Sequence, residues 1–159
     1  MKSKFRLLLQ ISLLLLSINS FSQNVTPAST HWNLKKGLAL EGYDPVSYFQ
    51  GDPKEGSKDI VASFNGATYY FVSNNNQSLF TENPQKFMPE YGGWCAYAMG
   101  TDGNKVKVDP ETFKVVDGKL YLFYNFFFNN TLEDWNEDEG NLRSKANENW
   151  KKWIDKSSN

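Results

Sequence analysis

Two stretches of the chain alternate apolar and polar residues on either side of a two-residue turn. The turns are Asn65-Gly66 and Asp117-Gly118, and each is flanked by runs rich in β-branched and aromatic residues. A type I′ turn requires a positive φ at both central residues, which Asn, Asp and Gly tolerate better than other residues do. The pattern therefore predicts two β-hairpins, whose strands cover residues 60–64, 68–72, 113–116 and 120–124.

Short helices are predicted between the hairpins, where proline or glycine ends each apolar run. The first covers residues 74–83, with Ser73 or Asn74 as its cap and with Leu79 and Phe80 facing inward. The other two predicted helices cover residues 84–88 and 94–99.

The C-terminal residues 131–156 carry one apolar stripe at helical spacing, and they follow a run with three consecutive phenylalanines at 125–130. Thr131 and Asp134 fit a capping box loosely, and Gly140 is expected to interrupt the helix. Such a stripe is typical of a helix that packs over a sheet, and contact with a partner or a membrane surface is the alternative. The stripe consists of Leu142, Ala146, Trp150, Trp153 and Ile154.

These patterns together predict an α+β fold. A small domain with two β-hairpins and short helices is expected over residues 34–125. A C-terminal helical extension is expected over residues 126–159, and the polar residues 23–33 are expected to form a flexible leader.

Residues 1–22 have the three parts of a signal peptide. Three basic residues precede an apolar run over residues 7–18, and residues 20–22 (Ser-Phe-Ser) place small side chains where a signal peptidase reads. An uncleaved membrane anchor is the alternative, but the run is shorter than the roughly 20 apolar residues of a spanning helix. We therefore expect cleavage before Gln23, a periplasmic or secreted protein, and no stable membrane span after cleavage.

Charge and composition exclude several classes of function. The 159 residues include 17 Lys plus Arg and 18 Asp plus Glu, and loss of residues 1–22 would leave 14 and 18, a net charge of −4. This balance argues against nucleic acid as a partner, because neutralising phosphates requires clustered cations. The single cysteine excludes an intrachain disulfide framework and an all-cysteine zinc site, and the single histidine excludes a multi-histidine metal centre.

Four aromatic-rich segments follow one another between residues 37 and 125. They are GYDPVSYF from Gly42; YYFVS from Tyr69, followed by Phe80, Asn83, Pro84 and Phe87; YGGWCAYA from Tyr91; and VDP from Val108 with DGKLYL from Asp117. In this order the segments resemble the YHS domain family, in the exported subgroup that carries a Gly-Gly-aromatic-Cys element.

The resemblance implies a small α+β module linked with heavy-metal handling, with metal-handling proteins as partners. Cytoplasmic members of the family carry metal-ligand cysteines in the first loop and around the aromatic-Ser segment. This chain has Ser47 in the first loop, and Val72 and residues 74–76 in the second region. Only the element around Cys95 is left to carry the chemistry that the resemblance implies.

Cys95 is therefore the main candidate for a functional residue. Gly92 and Gly93 allow a sharp bend before Trp94, and a helix starting near Gly93 would place Cys95 in its first turn, where free amides and the helix dipole favour the thiolate. Met99 lies one turn later on the same face. A cysteine with methionine donors is a soft ligand set that suits Cu(I), so the sequence predicts a non-enzymatic module for copper or another soft metal. The predicted ligands are Cys95, Met99, Met88 and His31.

Two other interpretations of Cys95 stay open. Free cysteine is among the most buried residue types, so Cys95 is also consistent with a core thiol in a structural module or in one that binds a protein or small ligand. A thiol-dependent enzyme with a base near Cys95 is the third interpretation, and a Cys-His dyad would need His31, which lies far upstream.

Two polar segments are weaker candidates. Tyr43 and Asp44 form a loop that either hydrogen-bonds a neighbouring strand or orients a ligand, and we favour the structural role because Asp before Pro is common in turns. The acidic run over residues 133–139 lacks the alternation of a calcium-binding loop, so a solvated helix face is expected.

Overall fold

The computed structural model describes residues 28–156. The predicted signal peptide (1–22) and the first part of the predicted leader (23–27) lie outside the described residues. The fold is α+β, as predicted, with a long helix at the C-terminal end of the described chain. Within residues 28–156, no helix combines the length and the apolar composition needed to cross a bilayer.

A four-stranded sheet contains the first predicted hairpin. Its strands are β1 (Leu34–Lys35), β2 (Leu38–Ala39), β3 (Ser57–Phe64) and β4 (Ala67–Phe71). β3 and β4 pair antiparallel around Asn65 (φ 48°) and Gly66 (φ 83°), so the predicted turn is confirmed. The order is β1-β2-β4-β3, and β2 runs parallel to β4.

The second predicted hairpin is also confirmed. β5 (Asp109–Val116) and β6 (Lys119–Phe123) pair antiparallel around Asp117 (φ 53°) and Gly118 (φ 71°). Leu122 of β6 also forms a parallel bridge with Cys95. This bridge places the backbone of Cys95 beside the C-terminal end of β6.

A third hairpin, which the sequence pattern did not predict, follows directly. β7 (Asn125–Phe126) pairs antiparallel with β8 (Asn129–Asn130), and Phe127 and Phe128 form the turn between them. We call residues 125–130 the phenylalanine hairpin.

Six α-helices are present among the described residues, and three predicted details need correction. They are α1 (Pro45–Phe49), α2 (Asn74–Glu82), α3 (Pro84–Phe87), α4 (Ala96–Thr101), α5 (Thr131–Glu137) and α6 (Glu139–Asp155). Leu79 is 40% exposed, because adjacent residues on a helix point about 100° apart and Phe80 takes the core position. The C-terminal helices break at Asp138 (φ −146°, ψ 45°), and Gly140 continues α6. α4 begins at Ala96, since Trp94 is extended (φ −82°, ψ 161°) and Cys95 is non-helical (φ −56°, ψ 119°).

The C-terminal helices contribute Trp135, Leu142 and Ala146 to the core. One cluster of buried side chains joins Cys95 to aromatic residues of the sheet and α2, and a second joins Met99, Tyr121 and Trp135 to α6. The predicted stripe is confirmed as core-facing, because Leu142 and Ala146 are buried in that second cluster. The extension is therefore integral to the fold.

Residues 31–33 are held against the 91–94 segment. The Asn33 backbone N–H donates to the Gly92 carbonyl (2.8 Å), and Asn33 Nδ2 donates to the Gly93 carbonyl (3.1 Å). Trp94 Nε1 donates to the His31 carbonyl (2.7 Å). This differs from the predicted flexible leader, because polar composition gave no sign that these residues would find backbone partners sixty positions away.

Candidate functional site

Cys95 is the cap residue of α4 and is fully buried. Its backbone N–H donates to the Val106 carbonyl (2.9 Å), and its carbonyl accepts from the Met99 N–H (3.0 Å). The expected first-turn position is therefore displaced by one residue, and the amide of Cys95 is already paired. The side chain points into the first core cluster instead of a cleft.

The Cys95 thiol closes a ring of three hydrogen bonds with Thr131 and Tyr124. Tyr124 N–H donates to Sγ (3.4 Å), and Sγ lies 3.4 Å from Thr131 Oγ1. Thr131 Oγ1 donates to the Tyr124 carbonyl (2.9 Å). Either Sγ or Oγ1 can be the donor in the contact between them, and the sulfur is engaged by both Tyr124 and Thr131.

This ring sits at the base of the phenylalanine hairpin. Tyr124 immediately precedes β7 and Thr131 immediately follows β8, so one sulfur atom holds the two ends of the hairpin together. Asn125 Nδ2 adds a bond to Thr112 Oγ1 (3.0 Å), and the Phe126 ring packs edge-on against Tyr124 (5.0 Å between centroids). The base of the hairpin is thus well fixed.

The tip of the hairpin projects into solvent. Phe127 and Phe128 are 92% and 111% exposed, and Phe126 is 42% exposed. Both turn residues have positive φ, 53° and 64°. This conformation costs an L-residue other than Gly, Asn or Asp about 1–2 kcal/mol. The same two positions therefore combine backbone strain with exposed apolar area.

The predicted metal ligands are in different packing environments, although Met99 lies one helical turn after Cys95. Met99 packs in the second core cluster and Cys95 in the first. Met88 is half-buried at the C-terminal end of α3, and His31 packs near Trp153 of α6. In the described part of the chain, no three His, Cys, Asp or Glu side chains are grouped so as to hold a metal ion.

His31 belongs to a cationic, aromatic cluster. Its Nδ1 lies 3.0 Å from Lys105 Nζ, which in turn lies 4.2 Å above the Trp153 ring. Burial, and then the Lys105 charge, lower the pKa of His31 from its usual 6.5. The neutral imidazole is thus engaged with Lys105 and not with Cys95.

The Asp44 carboxylate is hydrogen-bonded within the fold. It is fully buried and caps α1, where Oδ1 accepts from the Val46 N–H (2.8 Å). Oδ2 accepts from the Val72 N–H (2.9 Å), just beyond β4, and from Asn76 Nδ2 (2.8 Å) on α2. One carboxylate therefore ties together α1, the sheet and α2, and both of its oxygens are used.

Tyr43, which precedes Asp44 in the chain, faces β5. Its hydroxyl donates to Glu111 Oε1 (2.9 Å), and this bond, with burial and nearby acidic groups, raises the pKa of Tyr43 to about 12. The phenol therefore stays protonated at neutral pH and links the first loop to the second hairpin.

The double glycine is required by close packing. Gly92 (φ 62°) and Gly93 (φ 83°) follow Tyr91, which also has a positive φ of 54°. A Cβ on Gly92 would lie 2.7 Å from Trp32 Cδ1 and 2.9 Å from Trp150 Cη2. The Gly-Gly bend therefore allows the Trp32 ring and α6 to pack closely against this segment.

Sequence reasoning missed the exposed phenylalanines and the partners of Cys95. The exposed phenylalanines could have been placed in a turn from the asparagines on either side of them, Asn125, Asn129 and Asn130, since Asn favours turns. No signal indicated the partners of Cys95, because Tyr124 and Thr131 are 29 and 36 residues from it.

Comparison of the chain with protein-family models, with curated proteins and with solved structures gives no match.

Proposed function

We propose that the mature chain is an exported, non-enzymatic interaction module that contacts its partner through the phenylalanine hairpin. The observation that carries this proposal is the near-complete exposure of Phe127 and Phe128. Large apolar side chains exposed side by side mark contact surfaces in soluble proteins. Aromatic residues are also enriched among the side chains that dominate binding energy.

Backbone strain supports the same surface. A two-residue I′ turn is most stable with Asn-Gly, which the chain uses at Asn65-Gly66. Phe127 and Phe128 occupy the equivalent positions in the third hairpin at a conformational cost. Strained residues of this kind are concentrated at functional sites, where the surrounding structure holds them.

The fixed base of the hairpin supports binding as well. The ring of bonds through Cys95, Thr131 and Tyr124 orders the hairpin before any partner arrives. Ordering a contact surface in advance reduces the entropy lost on association. Cys95 is a structural thiol in this proposal, and the resemblance to exported YHS domains describes the scaffold that carries the hairpin.

Replacement of the turn by Phe127→Asn together with Phe128→Gly is expected to raise the free energy of unfolding by about 1–2 kcal/mol, because the strain is relieved and almost no burial is lost. The same variant should lose retention on a phenyl-substituted chromatography matrix. Denaturant unfolding and elution position measure the two effects. A control, Val61→Asn with Leu79→Asn, removes exposed apolar area elsewhere. Equal retention of wild type and turn variant would contradict the proposal.

Cys95 is expected to resist alkylation by iodoacetamide in the native protein and to react once the protein is unfolded, because Sγ is buried and engaged in two contacts. Titration with Cu(I) against a competing chelator should give the same result for wild type and Cys95→Ser. Rapid alkylation, or stoichiometric Cu(I) binding that Cys95→Ser abolishes, would favour the copper-binding module over the present proposal.

A further inference from the structure

We infer that the partner of the phenylalanine hairpin is the surface of an electrically neutral, zwitterionic lipid bilayer, an inference that rests on the proposed function. The shape of the hairpin is the first reason. Phe127 and Phe128 form a convex tip at the end of a two-stranded ladder that is only two residue pairs long. A bilayer accepts a convex apolar tip without a complementary pocket, and aromatic side chains on peripheral proteins insert at the boundary of headgroups and acyl chains.

The available area is the second reason. One phenylalanine side chain presents about 150–250 Å², so the two turn residues offer about 400 Å² together. A stable protein interface buries about 800 Å² on each partner. Phe126, already packed on Tyr124, adds only part of its surface. The patch is therefore too small for a stable protein complex and is large enough for a weak, reversible lipid contact.

The charge around the tip selects the kind of lipid. Residues 125–137 contain Glu133, Asp134 and Glu137, which are exposed on α5, and no lysine or arginine. Lys114 of β5 donates to Asn136 Oδ1 on α5 (2.7 Å) and is paired with Glu139 on α6 (2.6 Å). Anionic headgroups attract basic segments and repel acidic ones. A neutral surface therefore fits this tip better than an anionic one.

The remaining polar groups of the hairpin are compatible with the headgroup layer. Asn125, Asn129 and Asn130 flank the phenylalanines and carry no charge. Only the two-residue turn extends beyond the ladder, so the backbone does not need to enter the hydrocarbon, where unpaired amides are costly. The structure thus points to shallow insertion of two rings.

Co-sedimentation with vesicles tests the inference. The wild-type protein is expected to bind phosphatidylcholine vesicles, and Phe127→Asn with Phe128→Gly should weaken the partition coefficient at least about a hundredfold. The control Val61→Asn with Leu79→Asn should bind like wild type. Vesicles in which one third of the lipid is phosphatidylglycerol should bind less at low salt, and added NaCl should restore binding by screening the repulsion.

Three results would overturn the inference: no wild-type binding to phosphatidylcholine, equal binding by the turn variant, or tighter binding to the phosphatidylglycerol mixture. The proposed function is tested separately by retention on the phenyl matrix. If retention depends on the phenylalanines while vesicles are not bound, the contact surface stands and its partner is a protein. If neither depends on them, both proposals fall.

Discussion

Replacement of Asp44 by alanine is expected to lower the free energy of unfolding by about 4 kcal/mol. The carboxylate is fully buried and accepts three hydrogen bonds, from the Val46 and Val72 N–H groups and from Asn76 Nδ2. Hydrogen bonds to charged groups contribute about 1.5–3 kcal/mol each, and a buried donor left without its partner costs about 1–3 kcal/mol. Domains of this size are stable by about 5–15 kcal/mol in total. Urea unfolding followed by circular dichroism measures the loss.

Two further variants serve as controls for the loss of the buried carboxylate. Asp44→Asn preserves the volume but replaces one acceptor oxygen with a donor, so it should fall between wild type and Asp44→Ala. Asp52→Ala removes an exposed carboxylate that pairs only with Lys54 at the surface, and should leave the midpoint unchanged. An Asp44→Ala protein as stable as Asp52→Ala would show that the carboxylate does not join the elements as we describe.

Trp135→Ala is expected to cost about 3–5 kcal/mol, the usual cost of removing a large buried ring. Trp135 is fully buried in the second core cluster, with its ring 5.7 Å from Tyr121 and 5.5 Å from Phe123 between centroids. Because α5 and α6 share this cluster with β6 and α4, the whole domain should lose stability in one transition. Thermal unfolding recorded by near- and far-ultraviolet circular dichroism would show whether the two signals change together.

Trp135→Phe is the matched control for this variant. Trp135 Nε1 is buried and has no hydrogen-bond partner among the described residues. Phenylalanine removes that unpaired donor while retaining an aromatic ring, so it should cost much less than alanine. If Trp135→Ala melted the C-terminal helices alone and left the two larger hairpins folded, the extension would be a separate unit, contrary to the shared core.

The candidate site could be predicted from the sequence only in part. Cys95 was recognisable because a lone thiol follows a double glycine, and the structure places it beside the base of the phenylalanine hairpin. Its partners, and the exposure of Phe127 and Phe128, depend on how β6 and α5 approach α4. An aromatic run has the same composition whether or not another element covers it.

Local chemistry by itself determined the two predicted hairpins and the cap of α2. Asn65-Gly66 and Asp117-Gly118 prefer the positive φ values that a tight turn requires, and Ser73 accepts the Asn76 N–H (3.1 Å) as a helix cap should. The apolar stripe of α6 likewise predicted which face of that helix is buried. These features depend on residues a few positions apart, so they can be read along the chain.

Only the tertiary structure decided what the chemical groups do. Asp44 meets Val72 and Asn76 across 28 and 32 positions, and Cys95 meets Thr131 across 36. Such contacts form when the packing of several elements closes long loops, and no local preference encodes them. For the same reason the burial of Cys95 and the exposure of Phe127 and Phe128, the most exposed large apolar side chains of the described chain, could not be predicted from the sequence.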